Sequence, residues 1–299
     1  MHSGGRGLFL FLLRRRAMTQ ELWRCGPFDF DLRDGPVIMG ILNVTPDSFS
    51  DGGEHNALPD ALAWAEKMRD DGARIIDVGG ESTRPGATEV PLEEERARVI
   101  PVVKALAKEG FCVSVDTSRP EIMLEAAAAG AAILNDVRAF EMPGAIEAAA
   151  SAKLGLVIMY QGPFDAEKDV VEDAFRYLGR REEALMAAGV EPERIAWDPG
   201  FGFGKTLEQN FEVLAASGRF LASGRPLLAA LSRKGSLGRI TGRRNPHERA
   251  AASVAGALLA AERGARILRV HDVRETADAL AVLKAFGQAD IRIDGRGRS

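Results

Sequence analysis

Seven apolar runs in this chain end at, or carry, a side chain able to do chemistry. Val37–Leu42 leads into Asn43, and Arg74–Val78 carries Asp77 and is followed by Glu81, Ser82, Thr83 and Arg84. Phe111–Val115 ends at Asp116, Ala132–Leu134 at Asn135 and Asp136, and Arg194–Trp197 at Asp198. Leu227–Leu231 runs into Ser232, Arg233 and Lys234, while Arg266–Val270 carries Arg269 and precedes His271. Two chemistries separate out. Lys234, Arg269 and His271, together with Thr83 and Arg84 on a loop, suit an anion such as diphosphate. Asp116, Asn135 and Asp198 supply carboxylates and an amide, which read the donor-rich edge of a flat heterocycle. The combined pattern points to a heterocycle that carries a phosphate group.

A plainer account is available for each residue alone. Asp and Asn after a strand often cap the next helix, and Asp136 and Ser118 are assigned to that role. Capping does not explain Lys, Arg and His at the ends of two successive strands, nor polar ends on six or more strands at once. The segment Pro199–Lys205, with three glycines, lacks the spacing of a nucleotide-binding P-loop. Its glycines either let Phe201 or Phe203 approach a ligand or form an ordinary strand-to-helix turn.

These residues need a frame that brings strand ends to one face. The runs above, with Leu156–Tyr160, make eight strand candidates of continuous rather than alternating apolar character. Such strands are buried on both faces, as in a parallel sheet. Helical spacing fills the gaps at Leu58–Asp70, Leu92–Lys108, Arg119–Ala129, Ala174–Ala188, Asn245–Arg263 and Val273–Ala285. Pro120 lies in the first turn of one helix and Gly130 just past its end, as helix signals prescribe. The repeat predicts an α/β chain folded as a (β/α)8 TIM barrel, whose reactive groups gather at the C-terminal ends of the strands. An open doubly wound sheet is the runner-up, but the first strand is not followed by the glycine fingerprint that fold often carries. Phe28–Asp31, with the turn at Arg33, Asp34 and Gly35, reads as a short strand-turn extension able to cap the barrel's bottom.

The bulk numbers agree with a single domain over residues 18–299. The chain has 299 residues, 46% of them hydrophobic, and its net charge of -4 gives no basic footprint for nucleic acid. Leu8–Leu13 precedes Arg14, Arg15 and Arg16, the reverse of a signal peptide's order, and is too short to cross a membrane. Residues 1–17 are read as a disordered extension before Met18. The two cysteines, Cys25 and Cys112, form no disulfide framework or zinc pattern, which fits a cytoplasmic location.

In order along the chain, these segments resemble the motifs of the dihydropteroate synthase family. Leu42–Gly53 and Gly79–Gly86 are similar to its two mobile loops. Ser114–Thr117, Asn135–Val137, Asp198–Lys205, Ser232–Lys234 and Arg269–Val273 are similar to its later motifs, and the resemblance spans Pro36 to Gly287. It implies a pterin diphosphate and 4-aminobenzoate as substrates, Mg2+ as cofactor and a homodimer formed through the late helices. It implies that Asn43 binds the metal, and that Asp116, Asn135, Asp198 and Lys234 hold the pterin. Arg269 and His271 would hold the diphosphate, Thr83 and Arg84 belong to the second loop, and Phe49, Pro85 and Phe203 wall the aminobenzoate pocket. Asp116, Lys234, Arg269 and His271 are the expected catalytic set, serving a dissociative displacement with no enzyme nucleophile.

Three positions depart from the family pattern. Met159 and Tyr160 stand where the family commonly has His and Met, and Gly235 follows Lys234 where many members have Ser or a bulky residue. Two further readings stay open. A pterin-binding methyltransferase domain would share the barrel but lack the Thr-Pro-Asp-Ser-Phe-Ser, Ser-Thr-Arg-Pro-Gly and Ser-Arg-Lys segments present here. A catalytically silent paralogue would keep the pocket for binding alone.

Overall fold

The computed structural model describes residues 22–44, 57–81, 90–162 and 169–296. Residues 1–17 of the expected extension and Phe49, Thr83, Arg84 and Pro85 lie outside them. A hairpin opens the described chain, with β1 (Leu22–Cys25) antiparallel to β2 (Phe28–Asp31). Eight strands then follow. They are β3 (Val37–Asn43), β4 (Ile75–Gly79), β5 (Val113–Asp116), β6 (Ile133–Asp136), β7 (Gly155–Met159), β8 (Ile195–Asp198), β9 (Leu228–Ala229) and β10 (Ile267–Val270).

Their order in the sheet is β8-β7-β6-β5-β4-β3-β10-β9, and every ladder is parallel. The two ends meet. A parallel bridge joins Trp197 to Leu227, and Trp197 N donates to Pro226 O at 2.9 Å, so the sheet closes into the expected (β/α)8 barrel. The strand expected over Leu227–Leu231 is the shortest in the barrel, pairing with β10 only through Leu228 and Ala229.

Alternation along the strands sorts two cores. Ile38, Ile76, Val78, Val115, Leu134, Ile158 and Leu268 pack outward against the helices. Met39, Ile75, Ile133, Val157, Ala196, Leu228 and Ile267 fill the barrel together with Trp23, Cys25 and Phe30 of the hairpin. The hairpin therefore plugs the N-terminal mouth. Trp23 Nε1 donates to Arg194 O at 3.0 Å, and the buried Arg194 guanidinium ties the carbonyls of Leu154 and Ala149 at 2.7 and 2.9 Å. Phe28–Asp31 was legible as a strand. Its partner Leu22–Cys25 was not, because four residues with a central Arg24 carry almost no periodic signal.

The outer ring includes α1 (Ala57–Asp70), α2 (Leu92–Lys108), α3 (Pro120–Ala129), α4 (Ala145–Ala152) and α5 (Val170–Ala187). It continues with α6 (Leu207–Ala215), α7 (Ser217–Phe220), α8 (Gly235–Thr241), α9 (Ala250–Glu262) and α10 (Val273–Arg296). As the sequence predicts, α3 starts at Pro120 and stops at Gly130, whose φ of 103° only glycine adopts readily. The helix expected over Asn245–Arg263 is divided. Pro246–Arg249 form a 3-10 turn capped by the Asn245 side chain, and the α-helix begins at Ala250. A capping box starts α6, with Thr206 Oγ1 accepting from Gln209 N at 3.1 Å and Gln209 Oε1 accepting from Thr206 N at 3.0 Å.

Candidate active site

Because side chains alternate along a strand, the residue two positions beyond an inward core residue also faces inward. That rule places Asp77 above Ile75, Asn135 above Ile133, Asp198 above Ala196 and Arg269 above Ile267. Asp116 also faces inward on β5, two residues past the buried Ser114 and opposite Asn135 in register. Five strands thus contribute one polar layer on top of an apolar barrel interior, at the C-terminal mouth where barrel chemistry occurs.

Arg269 organises the layer. Its Nε donates to Asp77 Oδ2 at 2.6 Å and its Nη2 to Asp116 Oδ2 at 2.8 Å. Burial opposes the Arg269 charge, but Asp77 and Asp116 outweigh it and keep the guanidinium firmly protonated. Asn135 Nδ2 lies 3.4 and 3.3 Å from the two oxygens of Asp77. The other Asp116 oxygen, Oδ1, is buried and has no hydrogen-bond partner among the described residues. Burial pushes the Asp116 carboxyl up to about 7, Arg269 pulls it back, and the neighbouring Asp77 charge adds to the rise. A buried acceptor left unmatched costs about 1–3 kcal/mol, so this atom is aimed at a ligand donor.

The glycine segment after β8 is more than a turn. Asp198 Oδ1 accepts from Gly200 N at 2.7 Å, and burial raises the Asp198 carboxyl while that N–H opposes the rise. Gly200 has φ 71°, and a Cβ there would meet Tyr160 O at 1.8 Å, so only glycine fits. Phe201 is buried in the outer core, whereas Phe203 is half-buried with Lys234 Nζ 4.1 Å from its ring centre. Of the two phenylalanines considered from sequence, Phe203 is the one beside the polar layer.

The loops after β9 and β10 are fastened to each other. Ser232 Oγ lies 3.1 Å from His271 N and 3.0 Å from His271 Nδ1. One residue on, Arg233 pairs with Asp272 through Nε at 3.2 Å and Nη2 at 2.5 Å. Arg233 holds φ at 57°, a region that costs a non-glycine residue about 1 kcal/mol. Its N–H donates to Ser253 Oγ at 2.8 Å and its carbonyl accepts from Arg249 Nη1 at 2.9 Å. These bonds hold the turn that delivers Lys234.

Across the mouth, Asn43 ends β3 with its side chain exposed. A Cβ on Gly79 would lie 3.8 Å from Asn43 Oδ1 and 3.7 Å from Asp116 Cβ, ordinary contact distances that place Gly79 between the two.

The model of the family described as pterin binding enzyme matches residues 39–271, from within β3 to just past β10. The chain belongs to this family. Among its relatives, the dihydropteroate synthase of Escherichia coli strain K12 is 49% identical over 258 residues, covering 84% of this chain and 91% of that one. The Bacillus subtilis dihydropteroate synthase is 41% identical over 262 residues, covering 87% and 92%. The solved Xanthomonas albilineans dihydropteroate synthase with 4-aminobenzoic acid superposes with a TM-score of 0.85 at 48% identity, covering 89% of this chain and 98% of that one. The same organism's enzyme in complex with 7,8-dihydropteroate gives 0.83 at 45% identity, with the same coverage.

Within this family member, Asp116, Asn135, Asp198 and Arg269 meet in one layer, with Lys234, Phe203 and His271 on the loops around it and Asn43 at the rim. Arg269, expected to hold the diphosphate, meets Asp77 through Nε and Asp116 through Nη2. Two site residues have no role assigned from sequence. Asp77 is noted there as the acid carried by the second apolar run, and its partners Arg269 and Asn135 come only from the fold. Lys205 is buried, with Nζ 2.6 Å from Gly200 O and 3.4 Å from Tyr160 O, and burial lowers it to about 7. Asp136 does not cap the next helix as expected, since the N-cap of α4 is Gly144 with no side-chain bond; its carboxylate instead holds the turn after β6, accepting from Arg138 N at 2.8 Å and Phe140 N at 2.6 Å. Met159 is buried at the end of β7, and Tyr160 packs outward, its ring 5.3 Å from that of Tyr177.

Proposed function

We propose that this chain joins (7,8-dihydropterin-6-yl)methyl diphosphate to 4-aminobenzoate, forming 7,8-dihydropteroate and diphosphate. The observation that carries this reading is the buried Asp116 Oδ1, without a hydrogen-bond partner among the described residues, together with the buried Asn135 and Asp198 of the same layer. A pterin edge presents amino and ring N–H donors to such a row of acceptors. Lys234 and His271 stand on the loops beside this layer, where they meet the diphosphate-bearing side of the ligand. In the reaction the C–O bond to the diphosphate breaks and its electron pair leaves with that group. The electron-rich dihydropterin ring stabilises the methylene cation, and the ionised form of Asp116 adds to that. The amine nitrogen of 4-aminobenzoate then forms the C–N bond and loses a proton. The chain's part is to hold, orient and neutralise, so no covalent enzyme intermediate is needed.

Mg2+ fits this site in a particular way. Among the described residues no cluster of three or more His, Cys, Asp or Glu side chains forms a metal cage. Asn43 offers one exposed amide oxygen, the hard donor that Mg2+ accepts when substrate phosphate and water supply the rest of its shell. When bound, the ion would neutralise charge on the departing diphosphate. A homodimer belongs to the same proposal. Ile240, Leu259, Val282 and Phe286 are large apolar side chains exposed on α8, α9 and α10, the late helices. A cytoplasmic location is also part of it, supported by two buried free thiols, Cys25 and Cys112. Among the described residues no helix is long and apolar enough to cross a membrane.

The test is diphosphate release by the purified chain given the pterin diphosphate and Mg2+, with and without 4-aminobenzoate. Release with dihydropteroate formation, lost in Lys234→Ala and on chelation, is the expected result. Tight pterin binding without any release would replace the synthase by a pterin-binding paralogue.

A further inference from the structure

Asp77 lies at 0% exposure on β4, beside the residues assigned to the substrates, and touches two of them. An ionised carboxylate only accepts hydrogen bonds, so whatever faces it must donate. Two donors face it. Arg269 presents Nε at 2.6 Å and the Asn135 amide must turn its nitrogen inward, at 3.3 and 3.4 Å. That choice leaves Asn135 Oδ1 as the amide atom not engaged by Asp77. Holding Arg269 by Nε also leaves its Nη2 for Asp116 Oδ2, which in turn leaves Asp116 Oδ1 open.

We infer that Asp77 is a positioning residue that sets the hydrogen-bond polarity of the pocket, making Asn135 and Asp116 both present acceptors to the bound heterocycle. The inference rests on the pterin reading given above. Its physical content is a parity argument. With Arg269 Nε holding the amide oxygen at the Oδ2 position, Asp77→Asn puts an NH2 group at the Oδ1 position, one of the two oxygens that Asn135 Nδ2 now faces at 3.4 and 3.3 Å. The Asn135 amide then rotates and shows the ligand a donor in place of an acceptor, against the ligand's own donors. Asp77 is fully buried beside Asn135 and Arg269 and is not itself assigned a contact with the substrates, so its effect passes through those neighbours.

The experiment is a cycle of Asp77→Asn, Asn135→Asp and the exchange of the two, read by steady-state kinetics with the pterin diphosphate and 4-aminobenzoate. Thermal melts accompany each variant. Asp77→Asn is expected to raise KM for the pterin diphosphate on the order of tenfold, the loss from one mispaired buried hydrogen bond. KM for 4-aminobenzoate, which contacts neither residue in this reading, should stay within about twofold. Asn135→Asp sets two carboxylates against each other and should also weaken the pterin. The exchanged pair restores one donor facing one acceptor and keeps an acceptor toward the ligand, so it should bind pterin better than either single variant. A purely structural role would show as lower melting points with both KM values moving together, and would overturn the inference. So would unchanged pterin KM in Asp77→Asn, or an exchange no better than Asn135→Asp, a comparison that stands even if Asp77→Asn fails to fold. Absence of turnover in the unmodified chain would instead sink the synthase reading itself.

Discussion

The ammonium of Lys205 donates to the carbonyl oxygen of Gly200 at 2.6 Å, and the N–H of the same Gly200 donates to Asp198 at 2.7 Å. One buried cation thereby orients the backbone that holds a pocket carboxylate.

That arrangement has a pH signature. Burial lowers Lys205 from its ordinary 10.5 to about 7, so between those values the unfolded chain keeps a proton the folded chain has lost. Stability contributed at this residue therefore rises as pH rises through the window, and below about 7 both states are charged and the burial cost is felt in full. Lys205→Met removes this dependence. Denaturant titrations near pH 6.5 and pH 9.5 should show the variant losing ground to the parent at the higher pH by about 2–3 kcal/mol. The two curves running parallel would refute the assignment. Pterin affinity should fall at both pH values, because the Gly200 and Tyr160 carbonyls lose their donor.

Asp272→Asn should act on catalysis through Lys234. The Arg233–Asp272 pair is largely buried and holds a turn with φ at 57°. Weakening it is expected to lower the melting point by an amount equivalent to about 1–3 kcal/mol. It should also lower kcat, since Lys234 follows directly. Arg233→Gly would relieve the backbone but lose the pair, so it should recover stability without recovering kcat. Differential scanning calorimetry and steady-state rates read the two effects separately.

At the opposite mouth, Gly155→Ala is predicted to loosen the hairpin plug. A Cβ there would stand 2.6 Å from Cys25 Sγ and 3.2 Å from Cys25 Cα. Overpacking of this kind costs about 1–3 kcal/mol. Trp23, buried in the plug, should shift its fluorescence toward longer wavelength while turnover at the far mouth stays near the parent's. An unshifted spectrum with an unchanged melting point would show that the plug accommodates the methyl.

Removal of Mg2+ by a chelator should abolish turnover and leave the melting temperature unchanged, because no described carboxylate cage holds the ion in the fold. Asn43→Ala should raise the Mg2+ concentration needed for half-maximal rate by roughly tenfold or more, the effect of losing one direct ligand. A rate independent of added metal in both proteins would remove Mg2+ from the reaction.

The sequence by itself determined the repeating frame and the identity of the ends. Eight apolar runs capped by Asn43, Asp116, Asn135, Asp198 and Lys234 are a one-dimensional pattern, because strand burial and side-chain alternation are local properties of the chain. Helix stops such as Gly130 are local for the same reason. Only tertiary structure decided which charges neutralise which. Arg269 and Asp77 are 192 positions apart and Arg269 and Asp116 are 153 apart, yet all three meet. No spacing rule reports that contact, because it follows from barrel closure, which sets β10 beside β3 and one strand away from β4. The pairing of Leu22–Cys25 with Phe28–Asp31, and its seat in the barrel's lower mouth, was likewise decided in three dimensions. A four-residue strand is held by the cavity it fills more than by its own periodicity. Charge in a buried pocket is distributed by distance through space and by exclusion of water, and neither quantity is written along the chain.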